Sequence, residues 1–466
     1  MKPMAFALYF GNRGFFPETL IASARREMKA RIGQLGYRTL ALPAAATRYG
    51  AVESAAEGAV YARWLAAHRT EVDGVILCLP NFGDETGAVA ALKDAGLPIL
   101  VHAYPDELDK MGFGQRRDAF CGKLSIMDVF CQYRVPFTAF SPHTVAPQSA
   151  VFAQHVHDFA RVCRVVKGMQ RLTVGAVGAR TTAFKTVRFD ELTLQRYGIT
   201  TETFDLSSVI AAVRRLNDHD RRVRKTADRL RQYTDCSQVP AATMLTLAKL
   251  GVVLDELIAE HGLDALAIRC WLELETELRV APCVLVSALN DRLVSCACEV
   301  DVCNAVAMHA LRLASGLPAA CLDWNNNYGE DPDKCILFHC GPVPQSLMTG
   351  KGAVVDHPMF VKAHGAGCGW GPNVGRIAPT PITFASAKTE GGRLTFYLGE
   401  GEITDDKIPA EFFGCAGVAR IPALQDKLHK IGHEGYRHHV SITPGHLARP
   451  VREALTRYLQ YDLLAW

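Results

Sequence analysis

The sequence lacks the features that mark membrane-spanning and nucleic-acid-binding proteins. No apolar run approaches the roughly 20 residues that a membrane-spanning helix needs. The 51 Lys and Arg residues are scattered along the chain and nearly balanced by 48 Asp and Glu residues, so no basic surface for nucleic acid is indicated. We therefore expect neither a membrane partner nor a nucleic-acid partner.

The sequence also lacks the signals of secretion. Its N-terminal apolar stretch is too short for a signal peptide. The 15 cysteines are odd in number, are spread over 466 residues and lie mostly within apolar segments. That distribution is typical of reduced, buried thiols rather than of a disulfide framework. These features predict a cytoplasmic protein.

A nucleotide-binding fingerprint is incomplete. Gly175 and Gly178 lie at the end of a predicted strand, but the segment has neither the third glycine of a dinucleotide site nor the lysine of a phosphate loop. We interpret it as an ordinary turn after a strand. An NAD-dependent dehydrogenase is therefore disfavoured.

The length of the chain favours two or three domains. In residues 1–166, short apolar runs alternate with segments of helical spacing, which predicts a doubly wound α/β domain with parallel strands. The predicted strands are Ala5–Phe10, Thr39–Leu42, Gly74–Leu79 and Pro98–His102, and the predicted helices are Thr19–Leu35 and Glu53–His68.

Two further domains are predicted after residue 166. Residues 167–345 indicate a second open α/β domain, with strands at Leu172–Val177 and Ala265–Cys270 and helical segments at Val209–Tyr233 and Ala241–His261. Residues 346–466 are richer in Gly, Pro and Thr and predict a β-rich domain without helices before a closing helix at Pro450–Leu459. The strands predicted there are Ile382–Ala387, Arg393–Leu398, Phe412–Ile421 and His438–Ile442.

Glu299 and Asp323 are the most informative pair of residues. Each lies where a hydrophobic segment gives way to polar residues, His339 follows on a third apolar run, and His438 and His439 are adjacent near the C-terminus. Carboxylate oxygens with an imidazole suit a hard or borderline divalent cation, and we expect Mn²⁺ or Mg²⁺. The pattern therefore indicates a divalent metal with acid and base groups around it.

Simpler roles are open for each of these residues. Glu299 could be a surface carboxylate at a helix N-terminus, and His339 could be a hydrogen-bonded core histidine. Strand alternation would let only one of His438 and His439 face a given site. Cys296, Cys298 and Cys303 near Glu299 suggest zinc, but the spacing of Cys296 and Cys298 is too short for a structural zinc pair and no second pair follows at a familiar distance.

The segment Ala267–Gln345 resembles the L-fucose isomerase family and, more distantly, the L-arabinose isomerases. Weaker resemblance extends over the rest of the chain, at Val72–Gly74, Asn81–Thr86, Gly178–Arg180 and Gly375–Pro379. The motifs that carry it are Cys270-Trp271, Ala281-Pro-Cys283, Leu289-Asn-Asp291, Ala297-Cys-Glu299-Val-Asp301, Leu322-Asp323-Trp-Asn-Asn326 and Phe338-His339-Cys340.

The resemblance implies an aldose–ketose isomerase that moves a proton through an enediol or enediolate of a small sugar. Glu299 and Asp323, 24 positions apart, would then be both metal ligands and the acid/base pair, and His439 would be the third ligand. The resemblance implies Mn²⁺, with Mg²⁺ or Co²⁺ as alternatives. It also implies a homohexamer with sites near subunit interfaces.

Several residues are candidates for substrate contact. By resemblance His339 lies on a substrate hydroxyl, and Phe82 lies in a segment where fucose isomerases carry a tryptophan, so this segment does not imply fucose itself. The remaining candidates are Arg13, Arg180, Trp324, Asn325, Trp370 and His438. The two arginines among them would also permit an anionic sugar.

A non-catalytic sugar-binding or sensing protein is the alternative function. The acid/base pair distinguishes the two classes, because a binding protein has no need of it.

Overall fold

The computed structural model describes residues 3–466, which form two compact units. The first unit contains residues 3–167 together with Arg452–Gln460, and the second contains Gly168–Val451 together with Tyr461–Trp466. Domain boundaries after residues 166 and 345 stay a prediction. Among the described residues, no helix is both long enough and apolar enough to cross a membrane.

The first unit is built on a parallel four-stranded sheet. Its central strands are buried along their whole length, because helices cover a parallel sheet on both faces and remove the usual alternation of polar residues. The elements are β1 (Ala5–Phe10), α1 (Thr19–Gln34), β2 (Arg38–Ala41), α2 (Ala55–Ala67), β3 (Gly74–Leu79), α3 (Glu85–Leu92), β4 (Ile99–Ala103), α4 (Ala119–Gln132) and α5 (Ala150–Met169). The strand order is β2-β1-β3-β4.

The second unit begins with another parallel sheet. Its elements are β5 (Leu172–Val177), α6 (Glu191–Arg196), β6 (Ile199–Phe204), α7 (Leu206–Arg215), α8 (Arg221–Tyr233), α9 (Ala241–His261), β7 (Ala265–Ile268), α10 (Glu273–Leu278), α11 (Cys283–Asp291), β8 (Ser295–Ala297) and α12 (Val302–Ser315). The strand order is β6-β5-β7-β8, and every pairing is parallel.

A larger, mostly antiparallel sheet completes the second unit. Its elements are β9 (Ala320–Asn327), β10 (Lys334–His339), β11 (Ala353–Asp356), α13 (Pro358–His364), β12 (Trp370–Arg376), β13 (Thr380–Glu390), β14 (Arg393–Ile403), β15 (Cys415–Arg420), α14 (Leu424–His433), β16 (His439–Pro444), α15 (Ala448–Glu453) and β17 (Asp462–Leu463). The order is β11-β12-β15-β10-β9-β16-β13-β14-β17, and an additional β14–β15 pairing closes six strands into an antiparallel barrel.

The structure confirms the predicted fold class, with parallel α/β sheets first and a β-rich region last. Two local expectations are wrong. The helical segment Val209–Tyr233 is two helices, because the backbone becomes extended at Leu216 and Asp220 caps a new start. Helices α13 and α14 lie in the region predicted to have none; Pro358 at the first helical position of α13 is a favourable start that the Gly-rich composition hides.

One close backbone approach holds β12 against the segment before α11. A Cβ atom built on Gly371 would lie 1.8 Å from the carbonyl oxygen of Ala281, and the neighbouring Trp370 carbonyl accepts a hydrogen bond from the Ala281 amide. No side chain fits at this position without moving the backbone.

We predict that Gly371→Ala destabilises the protein by about 1–3 kcal/mol or more, because the added methyl overpacks a backbone contact. Gly432→Ala is the matched control in the same unit, since Gly432 lies in α14 with open space around it and alanine should stabilise that helix by about 0.5–1 kcal/mol. The midpoint of urea unfolding, compared with that of wild type, measures the change in stability of each variant. Equal midpoints for Gly371→Ala and wild type would contradict the described approach.

Candidate active site

Glu299 reaches the site through an unusual turn between β8 and α12. Glu299 and Val300 have φ angles of 55° and 60°, in the left-handed region that β-branched residues rarely adopt. The Glu299 carboxylate is buried, so the simpler interpretation of Glu299 as a surface residue is wrong. The helix-start role belongs to Asp301, whose Oδ1 accepts a hydrogen bond from the Asn304 amide at 3.0 Å.

Three neighbouring barrel strands supply the other groups. Asp323 on β9 lies directly opposite His439 on β16 and, on its other side, opposite Phe338 on β10, the residue before His339. The His439 Nε2 atom is 3.4 Å from Asp323 Oδ1 and 3.7 Å from Glu299 Oε2. His439 therefore joins the two carboxylates that the sequence singled out.

Both adjacent histidines face Asp323. His438 Nε2 lies 3.6 Å from Asp323 Oδ1, although the His438 side chain is 42% exposed and that of His439 is 1% exposed. The expectation that only one of the two could face the site is wrong. Strict alternation does not apply because β16 begins at His439 and His438 lies before it.

The hydrogen bonds of the two buried imidazoles distinguish their roles. His439 Nδ1 lies 2.8 Å from Asp301 Oδ2 and must donate to that carboxylate, so Nε2 is the nitrogen left for a metal. His339 Nδ1 instead accepts a hydrogen bond from the Cys340 amide at 2.9 Å. The proton of neutral His339 therefore lies on Nε2, and this nitrogen lies 3.4 Å from Glu299 Oε2.

The two carboxylates each present one unsatisfied oxygen to the site. The Cys270 thiol and the Trp271 indole donate to Glu299 Oε1 at 3.1 and 3.2 Å. Among residues 3–466, neither Glu299 Oε2 nor Asp323 Oδ1 has a hydrogen-bond partner, and both are buried. Two orphaned carboxylate oxygens beside a free imidazole nitrogen fit a divalent cation of the Mn²⁺ or Mg²⁺ type.

The thiols behind Glu299 do not form a zinc site of the predicted kind. Cys298 lies with Cys270 beside Glu299, and the three donor atoms are within 4.8 Å of one another. However, burial raises the pKa of the Cys270 thiol to about 12, and the hydrogen bond with Cys270 together with burial raises the pKa of the Cys298 thiol well above its ordinary value. These groups remain protonated, and Cys270 acts as a hydrogen-bond donor to Glu299 rather than as a thiolate ligand.

The environments of the carboxylates push their pKa values apart. Burial alone would raise the pKa of Glu299, but His339, His439 and the Cys270 thiol hold it at about 2. Burial raises the pKa of Asp323 above its usual value, against the opposing effect of His339 and His439. For His439, burial lowers the pKa, while Cys321 and Asp301 outweigh burial and raise it. Two carboxyl groups whose pKa values are separated in this way can exist with one of them protonated and the other ionised.

A cavity of about 360 Å³ opens in front of these groups. This volume lies in the range of small-molecule sites, and most of its wall is aromatic or aliphatic. The apolar wall consists of Phe184, Trp271, Leu272, Phe338, Met359, Phe360, Ala363 and Phe413, with His357 and His364 among them.

Three of the other predicted substrate residues in this unit lie outside the lining of the cavity. Trp324 donates to the Tyr397 hydroxyl and packs edge-on against Phe384. Asn325 is exposed on β9, and Trp370 packs against the core of the parallel sheet. Their assignment to substrate binding stays a prediction.

The two predicted arginines are held by local contacts. Arg180 donates to the carbonyl oxygens of Thr181 and Thr182. In the first unit, Arg13 pairs with Glu85 at 2.9 Å and its guanidinium lies 4.0 Å from the centre of the Phe82 ring. Arg13 and Phe82 thus form one cluster after β1 and β3. Their assignment to substrate binding also stays a prediction.

Sequence reasoning missed several residues of the site. Cys270 and Trp271 were noticed as part of a motif, but nothing in the motif indicated that they bind Glu299. Asp301 was named only as the last residue of the motif Ala297-Cys-Glu299-Val-Asp301, and Arg437, which pairs with it, carried no signal apart from its position next to His438. Hydrogen bonds between residues more than 100 positions apart leave no local pattern in a single sequence.

Two families match this chain. Residues 7–170 match the family described as Fucose/sulfoquinovose isomerase, N-terminal domain, and residues 337–466 match L-fucose isomerase, C-terminal domain. Together the two matches cover well over half of the 466 residues.

Curated relatives include proteins named sulfoquinovose isomerase. That of Alkalicoccus urumqiensis is 24% identical over 390 residues, which are 82% of this chain and 83% of the relative. That of Priestia aryabhattai is 24% identical over 387 residues, 80% and 81% of the two chains. That of Clostridium sp. (strain MSTE9) is 28% identical over 204 residues, 43% and 45% of the two chains.

The separated pKa values predict opposite effects of two isosteric substitutions on the metal-free protein. At pH 7, Asp323→Asn should raise the melting temperature, because it removes a charge that burial disfavours. Glu299→Gln should lower it, because the neighbouring imidazoles stabilise the ionised form. Differential scanning calorimetry in the presence of a chelator measures both changes.

The pH dependence of each effect follows from the same shifts. The stability that Glu299 contributes is fully present above its ordinary pKa of 4.5 and is lost as pH falls toward about 2. The stabilisation by Asp323→Asn should fade as pH falls through the raised pKa of folded Asp323, and it should be absent below the ordinary Asp value of 3.8, where the folded and unfolded states are both protonated. Shifts of the same sign for the two variants at pH 7 would contradict the described electrostatics.

Proposed function

Since this chain belongs to the L-fucose isomerase-like family and is an aldose–ketose isomerase, we propose that Glu299 and Asp323 carry out proton transfer on a monosaccharide with the help of a divalent metal ion. The observation that carries this proposal is that Glu299 Oε2 and Asp323 Oδ1 lie 3.7 and 3.4 Å from the same atom, His439 Nε2, and that neither oxygen has a hydrogen-bond partner among the described residues. The alternative of a non-catalytic sugar-binding protein has no use for such a pair.

The proposed metal ligands are Glu299, Asp323 and His439, with Mn²⁺ as the first candidate and Mg²⁺ or Co²⁺ as alternatives. When bound, the ion would polarise the sugar carbonyl and stabilise negative charge on the substrate oxygens. The second imidazole near Glu299, that of His339, is not proposed as a ligand, because its Nδ1 accepts from the Cys340 amide and its Nε2 carries the proton.

Proton transfer between C1 and C2 needs one group that accepts and one that donates. Asp323 holds a proton more readily than Glu299, since burial raises its pKa while that of Glu299 is about 2. The two carboxylates can therefore exchange roles between the aldose and ketose directions. The His339 Nε2–H group would donate to a substrate hydroxyl, and the apolar wall would exclude water from the intermediate.

The proposed substrate is a six-carbon aldose modified at C6, and sulfoquinovose is the first candidate. The names of the relatives support this choice, and Arg13 and Arg180 are candidates to recognise an anionic group. The apolar wall of the cavity favours a second candidate, L-fucose, whose C6 is a methyl group.

Assembly and location are also proposed. Homo-oligomerisation, with a hexamer as the expected state, is supported by large apolar side chains exposed on the first unit, including Leu108, Phe113 and Phe120. A cytoplasmic location is supported by the 15 cysteines, which are all free thiols.

We expect chelation to abolish aldose–ketose conversion and Mn²⁺ to restore it. Glu299→Gln should lower kcat by at least about 10²-fold with metal present, because positioned proton transfer is worth roughly 10²–10⁴ in rate. Glu202→Gln, at an exposed glutamate on β6 outside the proposed machinery, is the matched control for handling and folding. Conversion that is indifferent to the chelator, or Glu299→Gln with wild-type turnover, would contradict the proposal.

A matched pair of sugars tests the substrate. Sulfoquinovose and quinovose differ only in the C6 sulfonate, so the ratio of their kcat/KM values isolates recognition of that anion. A charge-assisted contact should favour sulfoquinovose by roughly tenfold or more. Equal values for the pair would contradict anion recognition, and higher kcat/KM for L-fucose than for sulfoquinovose would favour the second candidate.

A further inference from the structure

A fully buried carboxylate, that of Asp301, lies behind the candidate site and outside the cavity. Its two oxygens accept from four donors. Oδ1 accepts from the Asn304 amide at 3.0 Å and from Arg437 Nη1, and Oδ2 accepts from Asn304 Nδ2 at 2.7 Å and from His439 Nδ1 at 2.8 Å. With four donors around it, the carboxylate acts only as an acceptor.

Arg437 is the charged partner of Asp301. Its side chain is buried, one Nη atom bonds Asp301 and the other reaches the Arg188 carbonyl oxygen at 3.5 Å. Buried ion pairs are weak contributors to stability, because desolvation offsets most of their attraction and apolar residues of similar size often serve as well. The pair therefore calls for an explanation other than stability.

The position of the pair supplies that explanation. Asp301 contacts His439, whose Nε2 lies 3.7 Å from Glu299 Oε2 and 3.4 Å from Asp323 Oδ1, and it does so at the other ring nitrogen, Nδ1. If His439 carried its proton only on Nε2, Asp301 Oδ2 would lose a donor and the proton would block the nitrogen that faces the two orphaned oxygens. Arg437 occupies Oδ1 and so keeps Oδ2 directed at His439.

We infer that Asp301 and Arg437 are positioning residues that hold the His439 ring with Nε2 free for the metal. This inference rests on the proposed function, since it assumes that His439 is a ligand. It makes the affinity for the metal depend on two residues that do not touch it. Partners of this kind typically change metal affinity by about 10- to 100-fold when they are removed.

The test is the binding of Mn²⁺ to chelator-treated protein, measured by isothermal titration calorimetry. Asp301→Asn keeps the shape of the side chain but places an amide where a pure acceptor is needed. We expect it to weaken Mn²⁺ binding by about 10- to 100-fold, with kcat recovering in part at saturating Mn²⁺. A folded Asp301→Asn protein with the wild-type Kd would overturn the inference.

Thr443→Val is the matched control for a general loosening of β16. Thr443 is buried on the same strand and, being four residues from His439, on the same face; its hydroxyl bonds Ser315 Oγ at 2.9 Å and the Pro318 carbonyl at 3.0 Å. The variant should lower the melting temperature without changing the Kd for Mn²⁺. An equal loss of Mn²⁺ affinity in this control would overturn the positioning role.

Arg437→Lys provides a second variant that retains the buried charge. It loses the guanidinium fork, so Mn²⁺ binding should be weaker than in both wild type and Thr443→Val. If Asp301→Asn lacks the wild-type circular dichroism spectrum, Arg437→Lys decides, and an unchanged Kd overturns the inference. Failure of the proposed function is distinguishable, because wild-type protein would then show no Mn²⁺ binding at all.

Discussion

The arrangement of the site depends on one antiparallel register, the pairing of Asp323 on β9 with His439 on β16. Residues directly opposite in antiparallel strands have Cβ atoms about 5 Å apart, so this pairing alone brings a carboxylate and an imidazole from 116 positions apart into contact. A shift by one residue would turn Asp323 or His439 to the opposite face of the barrel. Burial of the neighbouring residues Leu322 and Val440 resists that shift.

The second carboxylate depends on a different constraint, the left-handed turn at Glu299 and Val300. The turn is costly for Val300, and it is held because β8 ends in a buried sheet on one side while Asp301 caps α12 on the other. The thiol of Cys270 and the indole of Trp271 then fix one carboxylate oxygen and leave the other free. The strained turn and the burial thus hold the Glu299 carboxylate in one position while it stays ionised.

Much of the fold could be predicted from the sequence, because its regular elements have strong local patterns. The strands Ala5–Phe10, Gly74–Leu79 and Leu172–Val177 lie where their apolar runs predict them, and α9 spans the predicted residues. The family resemblance is confirmed by the two family matches, at residues 7–170 and 337–466.

The parts of the structure that were missed depend on long-range contacts. Asp301 and His439 are 138 positions apart, and no periodicity records their hydrogen bond. His438 was expected to alternate with His439, but the strand begins one residue too late for alternation to hold. Helix α13 is only seven residues long and begins at a proline. Because the surrounding sequence is rich in glycine, its composition predicted a region without helices, and the proline alone was too weak a signal to indicate one.

The most direct test of the central claim is a crystal structure of the protein soaked with Mn²⁺, with anomalous scattering used to locate the ion. The account predicts one anomalous peak bonded to Glu299 Oε2, Asp323 Oδ1 and His439 Nε2. A fully occupied peak beside the thiols of Cys270 and Cys298, or no peak at the two carboxylates under saturating Mn²⁺, would contradict it.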